Sequence, residues 1–147
     1  MKFEEFVEGT AYESEERAVP VEEMVAFAER YDRQAIHVGT PAGATEAGRP
    51  DHVIASGYLG LAVAWQQWLD VGVFGDDAVA GVALDHARWV RPMEPGVRVR
   101  TRARVGRTWV SSKGKGMVQL QLQLVDGAGD ELLSFETIAI MARRGDE

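Results

Sequence analysis

Asp32 and His37 are the two residues with the clearest means of moving a proton. They stand five apart in Tyr31-Asp32-Arg33-Gln34-Ala35-Ile36-His37, just past a helical pattern. A carboxylate and an imidazole brought to one point can hold a water and exchange protons with it, which is general acid–base work. The same residues also suit a plainer role, with Asp32 capping a helix and His37 a satisfied surface histidine. A second candidate is Ile54-Ala55-Ser56-Gly57-Tyr58, which opens an apolar stretch. The first N–H groups of a helix have no intrahelical acceptor, and the dipole there favours a partly negative oxygen. Gly57 would let a ligand approach the backbone closely. An ordinary helix start after a loop would account for this segment as well.

Other chemistries find little support. The chain has no cysteine, which removes thiolate metal sites, cysteine nucleophiles and disulfide frameworks. His37, His52 and His86 have no His-x-x-x-His spacing, so no metal is expected. Ser56 is not framed by Gly-x-Ser-x-Gly, and no Gly-Lys-Ser/Thr follows Gly39, Gly43 and Gly48.

The elements that must position these groups can be read from periodicity. Val21 to Tyr31 predicts a helix: Pro20 stands at its start, Glu22 and Glu23 in its first turn, and Met24, Phe27, Ala28 and Tyr31 on one face. Val53 to Leu69 carries no charge over 17 residues, short of a membrane span and interrupted by glycine and glutamine. It predicts a buried helix from about Ser56 to Leu69, with Leu59, Ala62, Val63, Gln66 and Leu69 as one stripe. Its other faces carry Leu61, Ala64, Trp65 and Trp68, so it must be covered on nearly all sides. From there the period is two. Ala78–Val90, Val97–Val105, Met117–Val125 and Leu132–Met141 read as strands, with turns at Pro95-Gly96, Gly114 and Asp126-Gly127. A curved antiparallel sheet wrapped around one buried helix is the α+β arrangement that results. The stretch from Gly39 to Pro50 reads as a long loop.

With 147 residues, 46% hydrophobic and 27% charged, the chain suits one globular domain, 1–147. MKFEEFVEGT is no signal peptide, so the expected address is cytoplasmic. A net charge of −7 argues against a nucleic-acid partner. The charge is uneven: residues 1–31 sum to −6 and residues 88–115 to +8. This reads as two faces of one domain, the basic one suited to an anionic ligand or subunit.

Taken together, Asp-x-x-x-x-His after a helix, a loop, then Ile54-Ala55-Ser56-Gly57 opening an apolar helix resembles the MaoC-like acyl dehydratases, the (R)-specific enoyl-CoA hydratases of the hotdog fold. Arg88-Trp89-Val90-Arg91-Pro92-Met93-Glu94-Pro95-Gly96 is similar to that family's aromatic, Pro and Pro-Gly segment before a long strand. Arg107, Ser111, Gly116 and the turn from Asp126 to Glu131 also stand in family-like order. The resemblance covers about residues 20 to 142. It implies that Asp32 and His37 activate one water, which adds across the 2,3-double bond of an enoyl thioester. It implies that the Gly57 N–H, with Ser56 and Tyr58 beside it, receives the thioester oxygen, and that the acyl chain runs near Tyr58 or Trp65. It also implies a homodimer at least, joined sheet edge to sheet edge, with an acyl-CoA or acyl-carrier thioester as substrate and no separate cofactor.

Lys113, Lys115, Arg49 and Arg88 are the expected contacts for CoA phosphates, the two lysines by reaching a neighbouring subunit's site. The strand arginines Arg98, Arg100, Arg102 and Arg104 read as a solvated face. Two other functions fit the same residues. A hotdog thioesterase would direct water at the carbonyl and release a free thiol. A non-catalytic module would bind the acyl thioester without turnover.

Overall fold

A computed structural model describes residues 1–39 and 53–145. Most of the expected loop, with Arg49 and His52, lies outside the described residues. Helix α1 runs Val21–Tyr31, as its stripe predicts, with Met24 and Ala28 buried. A one-turn helix α2, Ala35–Val38, follows and carries His37. Helix α3 spans Gly57–Asp70. Its inward face is rotated from the expected one. Leu59, Gly60, Val63, Ala64, Gln67 and Trp68 are buried, whereas Ala62, Gln66 and Leu69 are exposed. Gln67 can face inward because every polar atom of its amide is used. Nε2 donates to the Val99 carbonyl at 2.9 Å and the Glu15 carbonyl at 3.1 Å, and Oε1 accepts from Thr101 at 2.9 Å. Buried amides are tolerated on that condition. Nor is the helix covered all round: Tyr58, Ala62 and Leu69 are exposed, and Leu61 and Trp65 are half-buried between them.

Six antiparallel strands form one sheet: β1 Ala11–Glu13, β2 Arg17–Ala18, β3 Ala78–Trp89, β4 Arg98–Val110, β5 Gly116–Asp126 and β6 Glu131–Met141. The order is β1-β4-β5-β6-β3, with β2 beside β1 on the edge of β4. The alternation read from the sequence sets the inner face: Val99, Thr101, Ala103 and Val105 of β4 and Val118, Leu120, Leu122 and Leu124 of β5 are buried. They close over α3, where Trp68 meets Tyr12 and Phe74 edge to face. This sheet curved around one helix is the hotdog arrangement.

The two oppositely charged segments turn out to be neighbours rather than opposite faces. Strands β1 and β2 lie along β4, so the acidic start of the chain neutralises much of the basic strand. Glu13 pairs with Arg100 at 3.0 Å and Arg102 at 2.8 Å, and Glu16 pairs with Arg98. Arg98, Arg100 and Arg102 are therefore ion-paired rather than merely solvated, whereas Arg104 stays exposed on the outer face. Strands of two or three residues carry too little periodicity to be found by pattern, which is why β1 and β2 were not expected.

Strand β3 forms the other edge of the sheet. Its pairing with β6 slips at three places, each adding one residue to β3. Such bulges bend and twist a strand. The third falls between Asp85 and Arg88, where His86 takes φ +54. Val79, Val82 and Leu84 are more than half exposed along this edge.

Candidate functional site

Asp32 is the C-cap of α1, its N–H donating to the Ala28 carbonyl at 2.9 Å. The turn that follows brings His37 back beside it. Gln34 accepts at its carbonyl from the N–H groups of His37 and Val38, and Gly39 closes α2 at φ +79, a conformation glycine adopts without strain. Ile54 and Ala55 then thread between two supports. Ile54 N–H donates to the Ile36 carbonyl at 3.0 Å, and Ala55 N–H to the Met93 carbonyl at 3.0 Å. These bonds fix the start of α3 against α2 and against the segment leaving β3.

In the result, Asp32 Oδ2 lies 3.5 Å from His37 Nε2, with both side chains largely buried. His37 Nδ1 is 2.9 Å from the Ile54 carbonyl oxygen. A carbonyl only accepts, so Nδ1 carries the proton, and in the neutral ring Nε2 presents its lone pair. Asp32 Oδ2 accepts from the Ser56 hydroxyl at 2.6 Å, and Oδ1 from the Gln34 amide at 2.6 Å. These two donors, Ser56 first, hold the Asp32 carboxyl below the usual carboxylate range against the opposing effect of desolvation, and His37 adds a smaller push. With the ring neutral, an ionised carboxylate and an imidazole lone pair face one another, a seat for one water that donates a proton to each.

Ser56 has a second bond. As N-cap of α3 its oxygen accepts from the Tyr58 N–H at 3.2 Å. The Gly57 N–H has no hydrogen-bond acceptor among the described residues. Both groups open into a cavity of about 420 Å³ lined by Asp32, His37, Gly57, Tyr58, Trp89 and Leu133, with Ile54, Ala55, Val90, Arg91, Pro92 and Met93 completing it. The space is mostly apolar, with Asp32, His37, Ser56 and Arg91 among its polar groups.

The structure thus brings Asp32, His37, Ser56, Gly57 and Tyr58 together. Trp65 packs on Phe74 and is no part of this wall. Arg88 lies on the outer face of the sheet, lining a separate polar groove with Arg102, Arg104 and Gln121. Lys113 and Lys115 sit at the β4–β5 hairpin. Strand register carries that hairpin past Gly116 and Met141 to Ala78, the end of the sheet opposite Leu133 and Trp89. They therefore lie away from this chain's own cavity. Residues not singled out for the site also belong to it: Gln34 holds Asp32, and Trp89 and Arg91 form a wall. Arg91 donates from Nε to the Glu131 carbonyl at 3.2 Å and stands 3.5 Å from Asp130. The signal for these was the aromatic-to-proline segment, whose pattern gives no direction for its side chains.

Among the described residues no cluster of three His, Asp or Glu side chains is placed to hold a metal. No described helix is long and apolar enough to cross a membrane.

Comparison with known proteins agrees with this fold. The chain is 32% identical over 95 residues to the uncharacterized protein YdeM of Bacillus subtilis (strain 168), an alignment covering 65% of this chain and 66% of that one, just under two thirds. Among solved structures it is similar to a MaoC-like dehydratase from Rhodospirillum rubrum, with a TM-score of 0.83, 20% identity and 98% of each chain covered. It is also similar to an R-hydratase from Pseudomonas aeruginosa, with a TM-score of 0.73, 17% identity, and 97% of this chain and 86% of that one covered. At such identities the likeness is one of fold. The profile of the MaoC like domain matches residues 2–125. A match over most of the chain, on a sheet wrapped around a helix whose first turn faces an Asp–His pair, settles its relationship: the chain belongs to the MaoC-like domain family.

Proposed function

We propose that the protein is a hydratase, or in reverse a dehydratase, acting on the 2,3-double bond of an enoyl thioester. The observation that carries the reading is the 3.5 Å approach of Asp32 Oδ2 to His37 Nε2, two acceptors facing the cavity that also receives the Gly57 N–H. The water oxygen held by the pair bonds to C3, and one O–H bond breaks with its proton passing to the pair. The π electrons of C2=C3 move toward the carbonyl, and the Gly57 N–H steadies the enolate oxygen. The pair then returns a proton to C2, giving the 3-hydroxyacyl thioester. The addition is redox-neutral and calls for no further cofactor.

A homodimer suits this reading. Among the described residues, the β3 edge has no neighbouring strand, and Tyr58, Ala62 and Leu69 of α3 are exposed with Leu61 and Trp65 half-buried between them. Antiparallel pairing of two β3 edges would set the Ala78 end of one strand beside the Trp89 end of the other. Lys113 and Lys115 of one copy would then lie toward the cavity of its partner, where a CoA phosphate would meet them.

The test is incubation with enoyl-CoAs of rising chain length, following loss of the conjugated double bond and free thiol together. Loss of the double bond without thiol release supports the hydratase. Thiol release identifies a thioesterase, and binding without either change identifies a non-catalytic module.

A further inference from the structure

Trp89 stands in a place that ordinary strand alternation would deny it. In β6, Leu133, Phe135, Thr137, Ala139 and Met141 face inward. Leu84 pairs with Thr137 and Trp89 with Leu133, so both take the inner register although they are five residues apart. An odd spacing reverses the face in a regular strand. The bulge at His86–Ala87 supplies the extra residue that reverses it back. It sends Arg88 to the outer groove and the indole of Trp89 onto the start of α3. His86 holds a left-handed conformation, uncommon for a residue with a side chain, to make this turn.

The indole lands on Gly57. A Cβ added at Gly57 would lie 2.4 Å from Trp89 Nε1 and 2.6 Å from Cε2, so only glycine fits beneath the ring. Tyr58 meets the same indole edge to face, with centroids 6.2 Å apart. Trp89 is half exposed, lines the cavity, and its Nε1–H has no hydrogen-bond acceptor among the described residues. Two N–H donors without acceptors, Gly57 N and Trp89 Nε1, therefore lie side by side where the hydratase reading puts the thioester oxygen.

We infer that the Trp89 indole N–H is a second donor to that oxygen. The inference rests on the hydratase reading, and it makes Trp89 a catalytic residue that the bulge in β3 exists to aim. One backbone donor and one indole donor would share the negative charge as C3 is attacked. Since the indole contacts oxygen most strongly when that oxygen is charged, its loss falls on kcat more than on binding.

The experiment uses the full chain. In Trp89→Phe an aromatic ring is kept, smaller than the indole, and the N–H is removed. Turnover of crotonyl-CoA is expected to fall by about tenfold or more, below the ~10²–10³ of a fully buried donor because Trp89 is half exposed. The Kd for butyryl-CoA, which has the carbonyl but no double bond to hydrate, is expected to stay within about twofold. A second readout needs no substitution. In ¹⁵N-labelled protein the Trp89 indole resonance, identified by its proximity to the Gly57 α-protons, is expected to move downfield as butyryl-CoA binds. Wild-type kcat in Trp89→Phe overturns the inference. So does a stationary Trp89 indole signal while His37 resonances shift with butyryl-CoA. If the wild-type protein hydrates none of the enoyl-CoAs of rising chain length, the hydratase reading itself is overturned and this inference goes with it.

Discussion

Asp32 keeps its charge through neighbours that come from two directions. Gln34 reaches it from two residues on, and Ser56 from the start of another helix. Replacing Asp32 by Asn or His37 by Ala is expected to lower kcat by ~10²–10⁴ in a protein that still folds, because each removes one of the two acceptors for the attacking water. Ser56→Ala acts on the same charge by another route. The carboxyl now lies below its ordinary range, chiefly through the Ser56 hydroxyl. Without that donor its pKa rises toward the ordinary value, so in a ¹³C-carboxyl titration Asp32 should protonate at higher pH than in wild type. A lowered folded-state pKa stabilises the fold above the unfolded pKa, and that contribution is lost as pH falls through the folded one. The stability gap between wild type and Ser56→Ala should therefore be widest near neutral pH and narrow in acid. That Asp32, His37, Ser56, Gly57 and Tyr58 would come together was legible only from the two segments taken jointly, through the family resemblance, since the spacing of either alone suits a plainer role. Gln34 as a partner was not. Its role depends on a backbone turn after Asp32 that no periodicity announces.

Helix α3 was legible to within a residue at each end, yet its inward face was not. A stretch apolar on most sides has a weak stripe, and the choice of Gln67 over Gln66 was made by acceptors on β4 and in the N-terminal segment that only the folded chain supplies. Closeness is set by Gly60, where an added Cβ would lie 2.5 Å from Leu133 Cδ2 and 3.2 Å from Met93 Sδ. Both neighbours are buried and both line the cavity. Gly60→Ala is therefore expected to lower the Tm. Overpacking costs ~1–3 kcal/mol, against the ~0.5–1 kcal/mol that alanine gains over glycine within a helix. A raised Tm would mean that Leu133 swings aside freely. Strand β3 shows the same limit of sequence reading. Its existence and span were legible, but its three bulges were not, and with them went the side of the sheet on which Arg88 and Trp89 stand.

For the molecule as a whole, the charge sums were legible and their meaning was not. Segments of −6 and +8 could face apart or meet, and the short strands β1 and β2 decide that they meet. Among the described residues, apolar surface stays exposed along β3 and on the open side of α3. The protein is expected to be a dimer by light scattering at micromolar concentration. Val82→Lys, on the open β3 edge, should shift it toward the monomer mass, since an inserted charge is a common means of blocking edge pairing. A monomeric wild-type protein would remove the edge-pairing proposal.

The placing of β1 and β2 also bears on how the chain reaches its final shape. Strands β4, β5 and β6 follow one another through tight hairpins, so their contacts close short loops. The bond from Arg102 to Glu13 spans 89 residues. Loop-closure entropy must be overcome before so distant a contact repays it, which places the local meander in the folding nucleus and leaves the acidic N-terminal strands to dock afterwards. Ala11→Gly in β1 should then accelerate unfolding in denaturant while refolding keeps its wild-type rate. Slowed refolding would instead place β1 in the nucleus. The segment that neutralises the arginines of β4 is by this account a late arrival, so those cations are bare in the folding transition state, and refolding is the stage at which added polyanions would hold the protein back.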